Sequence, residues 1–172
     1  MELAAQALVE ECQRQEESCL YTSTALFEWL KDLRRWRTAF IALPIVFAGI
    51  ATSALLKHWE WVTGISALLA GIMPAIFKSL ELDKDLAAIT RYANTFKILQ
   101  DRFRQAWCIS ALGDFEEFKK EFAGLMTKLD DARTASIPPP ERYFKKAQAK
   151  IEKGHYNFRA DSYGERDQTR SQ

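Results

Sequence analysis

The chain has 172 residues, with 24 Lys and Arg against 23 Asp and Glu, and a net charge of +1 gives no general argument for nucleic-acid binding. Three cysteines are too few for a disulfide framework, and seven glycines and five prolines leave little turn or strand patterning. Outside two apolar runs there is material for one helical domain and not for two separate enzymes.

Residues 1–37 read as a cytosolic N-terminal helix. Ala5, Leu8, Cys12, Gln15, Cys19, Thr22, Leu26, Trp29, Leu33 and Trp36 fall at alternating steps of three and four, a heptad seam with polar members in its first half. Such a seam fits a coiled coil between chains and equally an amphipathic helix lying on a bundle.

Residues 38–77 read as a transmembrane hairpin. Neither 38–56 nor 61–77 contains an ionisable residue, and only Lys57, His58, Trp59 and Glu60 separate them. A hydrocarbon core takes roughly 20 apolar residues of helix, with a range of about 17–25, and both runs reach it. The first run lies behind a long charged helix, unlike a cleavable signal peptide. A soluble all-helical protein with the pair buried in its core would share the composition, but this chain has little material to cover two helices apolar all round.

The flanks agree with lipid. Arg34, Arg35, Trp36, Arg37 and Lys78 are expected to anchor one boundary, and Trp59 and Trp61 the other. Basic residues concentrate outside the hairpin, at Lys31 and Arg34 to Arg37 before it and at Lys78 and Lys84 after it. The positive-inside rule then places both termini in the cytoplasm and every cysteine on the reducing side as a free thiol. Within the spans, Gly64, Ala67, Gly71 and Ala75 form a small-residue face on the second helix, and Ala42, Val46, Gly49 and Ser53 share a side of the first. These faces suit packing within one hairpin or between hairpins. Pro44 and Pro74 are placed to bend their helices. Thr52, Ser53, Thr63 and Ser66 are the polar groups of the runs, so any pore would be narrow, apolar and closed by dewetting.

Residues 78–136 read as cytosolic helices. The first resumes near Asp83, with Leu82, Ile89, Tyr92, Phe96, Leu99, Phe103 and Ala106 in heptad spacing. Gly113 reads as a left-handed cap, and Asp114 as the N-cap of a helix running to about Ala135 along Phe115, Phe118, Phe122, Leu125, Leu129 and Ala132. Residues 137–156 hold a stiff elbow, Pro138 to Pro140, and a basic amphipathic helix with Tyr143, Phe144, Ala147 and Ile151 along one side. That helix could lie on an anionic leaflet, though its short stripe favours docking on the bundle. Residues 157–172 read as a flexible polar tail.

No catalytic constellation emerges. His58 and His155 fall on opposite sides of the membrane in this topology. Cys12 and Cys19 stand about 10.5 Å apart along one helix, too far for a disulfide. Cys108 has no partner in sequence, Glu116 and Glu117 fit a solvated helix face, and no phosphate loop, zinc spacing or nucleophile elbow occurs. The fold class expected is all-α, a two-helix transmembrane hairpin continuous with a cytosolic helical bundle or coiled coil, with no enzyme activity, no cofactor and no metal.

The layout also resembles a known group. The segment KDLRRWRTAF leads into two close spans; LDKDLAAITRYANTFKILQDRFRQAW and the proline-led IPPPERYFKKAQAKIEKGHYNF follow. This is similar to the SLATT family, two-transmembrane effector domains associated with SMODS nucleotidyltransferases and SLOG nucleotide sensors. The resemblance covers residues 1 to about 158 and rests on architecture. It implies a homo-oligomeric, pore-forming effector of antiviral defence in the bacterial inner membrane, triggered by a nucleotide signal through a separate sensor or cyclase. It brings no catalytic residues. A passive two-span anchor carrying a cytosolic docking module is the alternative.

Overall fold

The computed structural model describes residues 2–56, 59–79 and 82–154. Among these there are five α-helices and no strand: α1 (Glu2–Leu56), α2 (Glu60–Ser79), α3 (Leu82–Cys108), α4 (Phe115–Ala135) and α5 (Glu141–Glu152), with one 3₁₀ turn at Ser110–Leu112. The expected tail and both histidines lie outside the described residues.

α1 is a single helix of 55 residues, roughly 80 Å long at ~1.5 Å per residue. No glycine or proline occurs in it before Pro44, so nothing breaks the chain between its polar and apolar halves. Its two halves have different neighbours. The first half packs on α3 and α5 and touches α4; α2 folds back along the second.

The heptad seam of α1 is covered from within the chain. Cys12, Cys19, Leu26 and Leu30 join Ile89, Ala93, Phe96, Leu99, Phe103 and Ala106 of α3, with Phe118, Leu125, Leu129 and Ala132 of α4, in one core. The polar seam residue Gln15 accepts a hydrogen bond from Arg133 Nη2 at 2.9 Å, and Trp107 Nε1 donates to Glu16 Oε2 at 2.6 Å. A second, smaller core forms where α5 lands on α1: Tyr143 and Ala147 close over Ala25, with Trp29 alongside. With α3 and α5 both packed on it, α1 buries four consecutive residues, Ser23 to Leu26. The Ser23 hydroxyl bonds the carbonyl of Leu20, so its burial leaves no orphan donor.

Docking is therefore what α5 does with its apolar side. Phe144, expected on that side, is instead 38 % exposed, because Tyr143 and Ala147 alone set the contact line. The elbow places α5: Pro139 is buried, and Pro140 precedes the helix in an extended conformation (φ −56°, ψ 145°). Asp114 caps α4 as expected, its Oδ1 accepting from the amides of Glu116 and Glu117 at 2.9 and 3.1 Å. Gly113 departs from expectation. Its φ of −92° and ψ of −149° are extended, not left-handed, because α3 leaves through the 3₁₀ turn and needs no αL cap.

Candidate functional site

The second half of α1 and the whole of α2 form the apolar helix pair. The less exposed residues recur at helical spacing: Phe40, Leu43, Phe47 and Ala51 on α1, and Val62, Ser66, Ala70 and Met73 on α2. These are the sides by which the two helices pack. The spacing of the small residues suits packing within one hairpin or between hairpins, and phenylalanines in an all-apolar run carry no periodic contrast that would decide between them.

The small residues face away from the pair. Gly49, Ser53, Gly64, Ala67, Gly71 and Ala75 are all exposed. A Cβ added to Gly49, Gly64 or Gly71 would meet nothing within 4 Å. In the single chain these residues are open to the surroundings. Large aliphatic residues share these outer faces: Ile41, Ile45, Val46 and Ile50 on α1, and Ile65, Leu68, Leu69, Ile72 and Ile76 on α2 are each 39–71 % exposed. Full burial of such a side chain is worth about 1.5–3 kcal/mol. Half-exposing all of them in water forfeits on the order of 10 kcal/mol, as much as the whole stability of a typical domain.

The hydroxyls of this region are satisfied locally. Thr52 donates to Ala48 O and Ser53 to Gly49 O, each at 2.9 Å, and Thr63 to Trp59 O at 3.1 Å. No partner helix or water is required for them, which suits an apolar solvent. α1 contains a stretch long and apolar enough to cross a membrane, and none of that stretch is buried. The apolar part of α2, Glu60–Ile76, is shorter.

The residues expected at the boundaries lie at the two ends of the pair. Arg34, Arg35, Trp36 and Arg37 are exposed where the bundle gives way to the apolar half of α1, and the Trp36 and Phe40 rings stand 6.3 Å apart. Arg35 lies 3.6 Å from Asp32. At the opposite end Trp59 and Trp61 are 57 % and 72 % exposed. Lys78 belongs to the last turn of α2, with its side chain outside the described residues.

Within the bundle the ionisable groups are committed to structure. Burial pushes the Cys12 and Cys19 thiols up to about 11, so neither is a nucleophile at neutral pH. Cys12 and Cys19 are buried and Cys108 is exposed. Glu28 and Asp32 hold α5 through Lys150 and Lys146. Burial raises the Glu28 carboxyl, but hydrogen bonds from Lys150 and Lys31 outweigh it and leave it below its ordinary value. The Lys146 hydrogen bond lowers Asp32 likewise. Among the described residues no group of three or more His, Cys, Asp or Glu could hold a metal ion.

Comparison with protein-family models, with curated proteins and with solved structures finds no match for this chain.

Proposed function

We propose that this chain is a membrane effector: its apolar helix pair spans the bacterial inner membrane as a two-pass hairpin, with both termini in the cytoplasm, and several copies assemble to permeabilise it. The observation that carries this reading is the outward placement of Gly49, Gly64 and Gly71 beside open space, on helices whose outer faces are otherwise large aliphatics. Small residues facing out of a hairpin let a second hairpin's backbone approach closely, the arrangement membrane helices use to associate. Two such faces per hairpin permit a ring. The outer faces carry no charge, so a resting pore would be narrow and dewetted until the ring widens.

α1 supports coupling of a signal to that change. It is one helix from the bundle core through Pro44 to the end of the first apolar run, so a rearrangement around Cys19 or Leu26 reaches Gly49 along one continuous element. A trigger must bind one arrangement of the bundle better than the other. The resemblance to the SLATT family supports a role in antiphage defence, with a nucleotide signal delivered by a separate sensor or cyclase. The test is to express the chain with and without its neighbouring genes and to follow membrane potential, including during phage infection. Triggered depolarisation is expected. A chain that never depolarises the membrane is instead a passive anchor, a reading that the locally satisfied hydroxyls of the spans also fit.

A further inference from the structure

The contact between α5 and α1 is built to part without harm to the rest of the bundle. Tyr143 and Ala147 are the buried residues of α5, and their small core with Ala25 is separate from the α1–α3–α4 core. Extended residues at Ser136 and Pro140 bracket the elbow that leads into α5, and no side chain caps its first turn. Both acids that hold α5 have a second cation on α1 itself: Lys31 lies 2.6 Å from Glu28, and Arg35 lies 3.6 Å from Asp32. On α5, Arg142 donates to the Tyr143 hydroxyl at 2.9 Å and covers its ring at 4.7 Å. Withdrawing α5 therefore leaves neither carboxylate without a cation, and an uncompensated charge is what makes the loss of a partly buried ion pair costly.

The flank of α1 that α5 covers has a continuation. Steps of seven carry Ala25 and Asp32 to Val46 and Ser53, and Glu28 to Ala42 and Gly49. An α-helix drifts only about 20° per heptad, so this flank adjoins the open small-residue side of the first apolar run. An added Cβ at Gly49 meets nothing within 4 Å, and Ala42, Val46 and Ser53 are exposed beside it. α2 packs along another side, at Phe40, Leu43, Phe47 and Ala51.

We infer that α5 is an autoinhibitory strap: docked, it occupies the flank of α1 along which a second copy approaches, and its release lets the α1 helices of neighbouring copies close on one another. Packed helices stand about 8–10 Å apart, whereas one helix with its side chains is about 10–12 Å across. Two chains that meet at Gly49 with α5 in place therefore have their polar halves wedged apart. Release clears Ala25 and Trp29 and makes the flank continuous from the bundle into the apolar run. This regulation rests on the effector reading proposed above.

The test follows membrane potential in cells carrying the full chain with its neighbouring genes, before and after phage infection. Two variants release α5 by different means. Tyr143→Ala empties the small core; Lys146→Glu with Lys150→Glu sets like charges against Asp32 and Glu28 and leaves that core intact. Limited proteolysis of each purified chain in detergent reports whether α5 has undocked. Both variants should depolarise uninfected cells at least about tenfold more often than the wild type. Adding Glu28→Lys and Asp32→Lys to the charge-reversed chain restores opposite charges across the contact and should silence it again, a rescue that a merely misfolded chain would not show. Variants whose α5 is undocked but which stay silent until infection, as the wild type does, overturn the strap and leave the effector reading standing. An α5 that stays protected in both variants shows that the contact does not detach, and overturns the strap likewise. Absence of depolarisation in every chain, the infected wild type included, removes the effector reading and the strap with it.

Discussion

Lys146 Nζ lies 2.9 Å from Asp32 Oδ2, joining the last described helix to α1 six residues before the first apolar run begins. One helical turn back, Lys150 bonds Glu28. About one turn before Lys146 on α5, Tyr143 is buried, its ring 6.2 Å from that of Trp29. α5 is therefore a clasp on α1 close to the start of its apolar half, built from one aromatic, one small residue and two ion pairs.

The clasp should depend mainly on its buried ring. Tyr143→Ala removes an aromatic side chain that is 1 % exposed, a truncation worth about 3–5 kcal/mol when the site cannot collapse. The loss is local, because α5 makes no other core. Limited proteolysis should cut near the prolines while the α1–α3–α4 core resists. Unchanged protection would show that the ion pairs suffice.

Acid should open the clasp. Asp32 and Glu28 both titrate below their ordinary values in the folded chain. A carboxylate whose folded value is depressed contributes stability above its unfolded value and loses it as pH falls through the folded one. Protection of α5 should hold at neutral pH and fall below about pH 4, where ordinary carboxylates protonate. Asp32→Asn should flatten part of that profile. The effect should be modest, since Lys146 is half-exposed and its pair is screened by solvent.

The thiols should sort by burial. A maleimide at neutral pH should label Cys108 and leave Cys12 and Cys19 untouched until the bundle unfolds, because both are buried and titrate near pH 11. Labelling of Cys12 or Cys19 in the folded chain would mean that the α1–α3 seam opens on the labelling timescale.

Gly71→Leu and Gly49→Leu should leave the single chain intact. Neither added side chain meets anything within 4 Å at its Cβ, and leucine is the better helix former by up to about 1 kcal/mol. Expression and membrane insertion should be unchanged. Crosslinked oligomers and triggered depolarisation should be lost, because the added side chain holds a neighbouring backbone away. Oligomers and depolarisation retained in both variants would show that these small-residue faces do not mediate the assembly.

Much of this architecture was legible in the chain because its punctuation is sparse. The run without glycine or proline up to Pro44 implied one long helix, Asp114 marked the start of α4, and the three prolines marked the elbow before α5. The 3.5-residue seam of α1 was legible too, but not its partner. A heptad stripe fits any helix of the same period, and only the fold chooses α3 over a second chain. Gly113 misled because a glycine after a helix usually serves as a left-handed cap, whereas here a 3₁₀ turn satisfies the last carbonyls. The burial of Ala25 was hidden for another reason: the segment that covers it returns more than 110 residues later.

The most direct measurement asks what surrounds the outer faces of α1 and α2. The full chain should stay with the membrane pellet through high salt and alkaline carbonate, and should leave it only with detergent. A polypeptide released by carbonate, and monodisperse in buffer without detergent, would mean that protein rather than lipid covers Ile45, Gly49, Leu68 and Gly71. The effector reading would then be wrong.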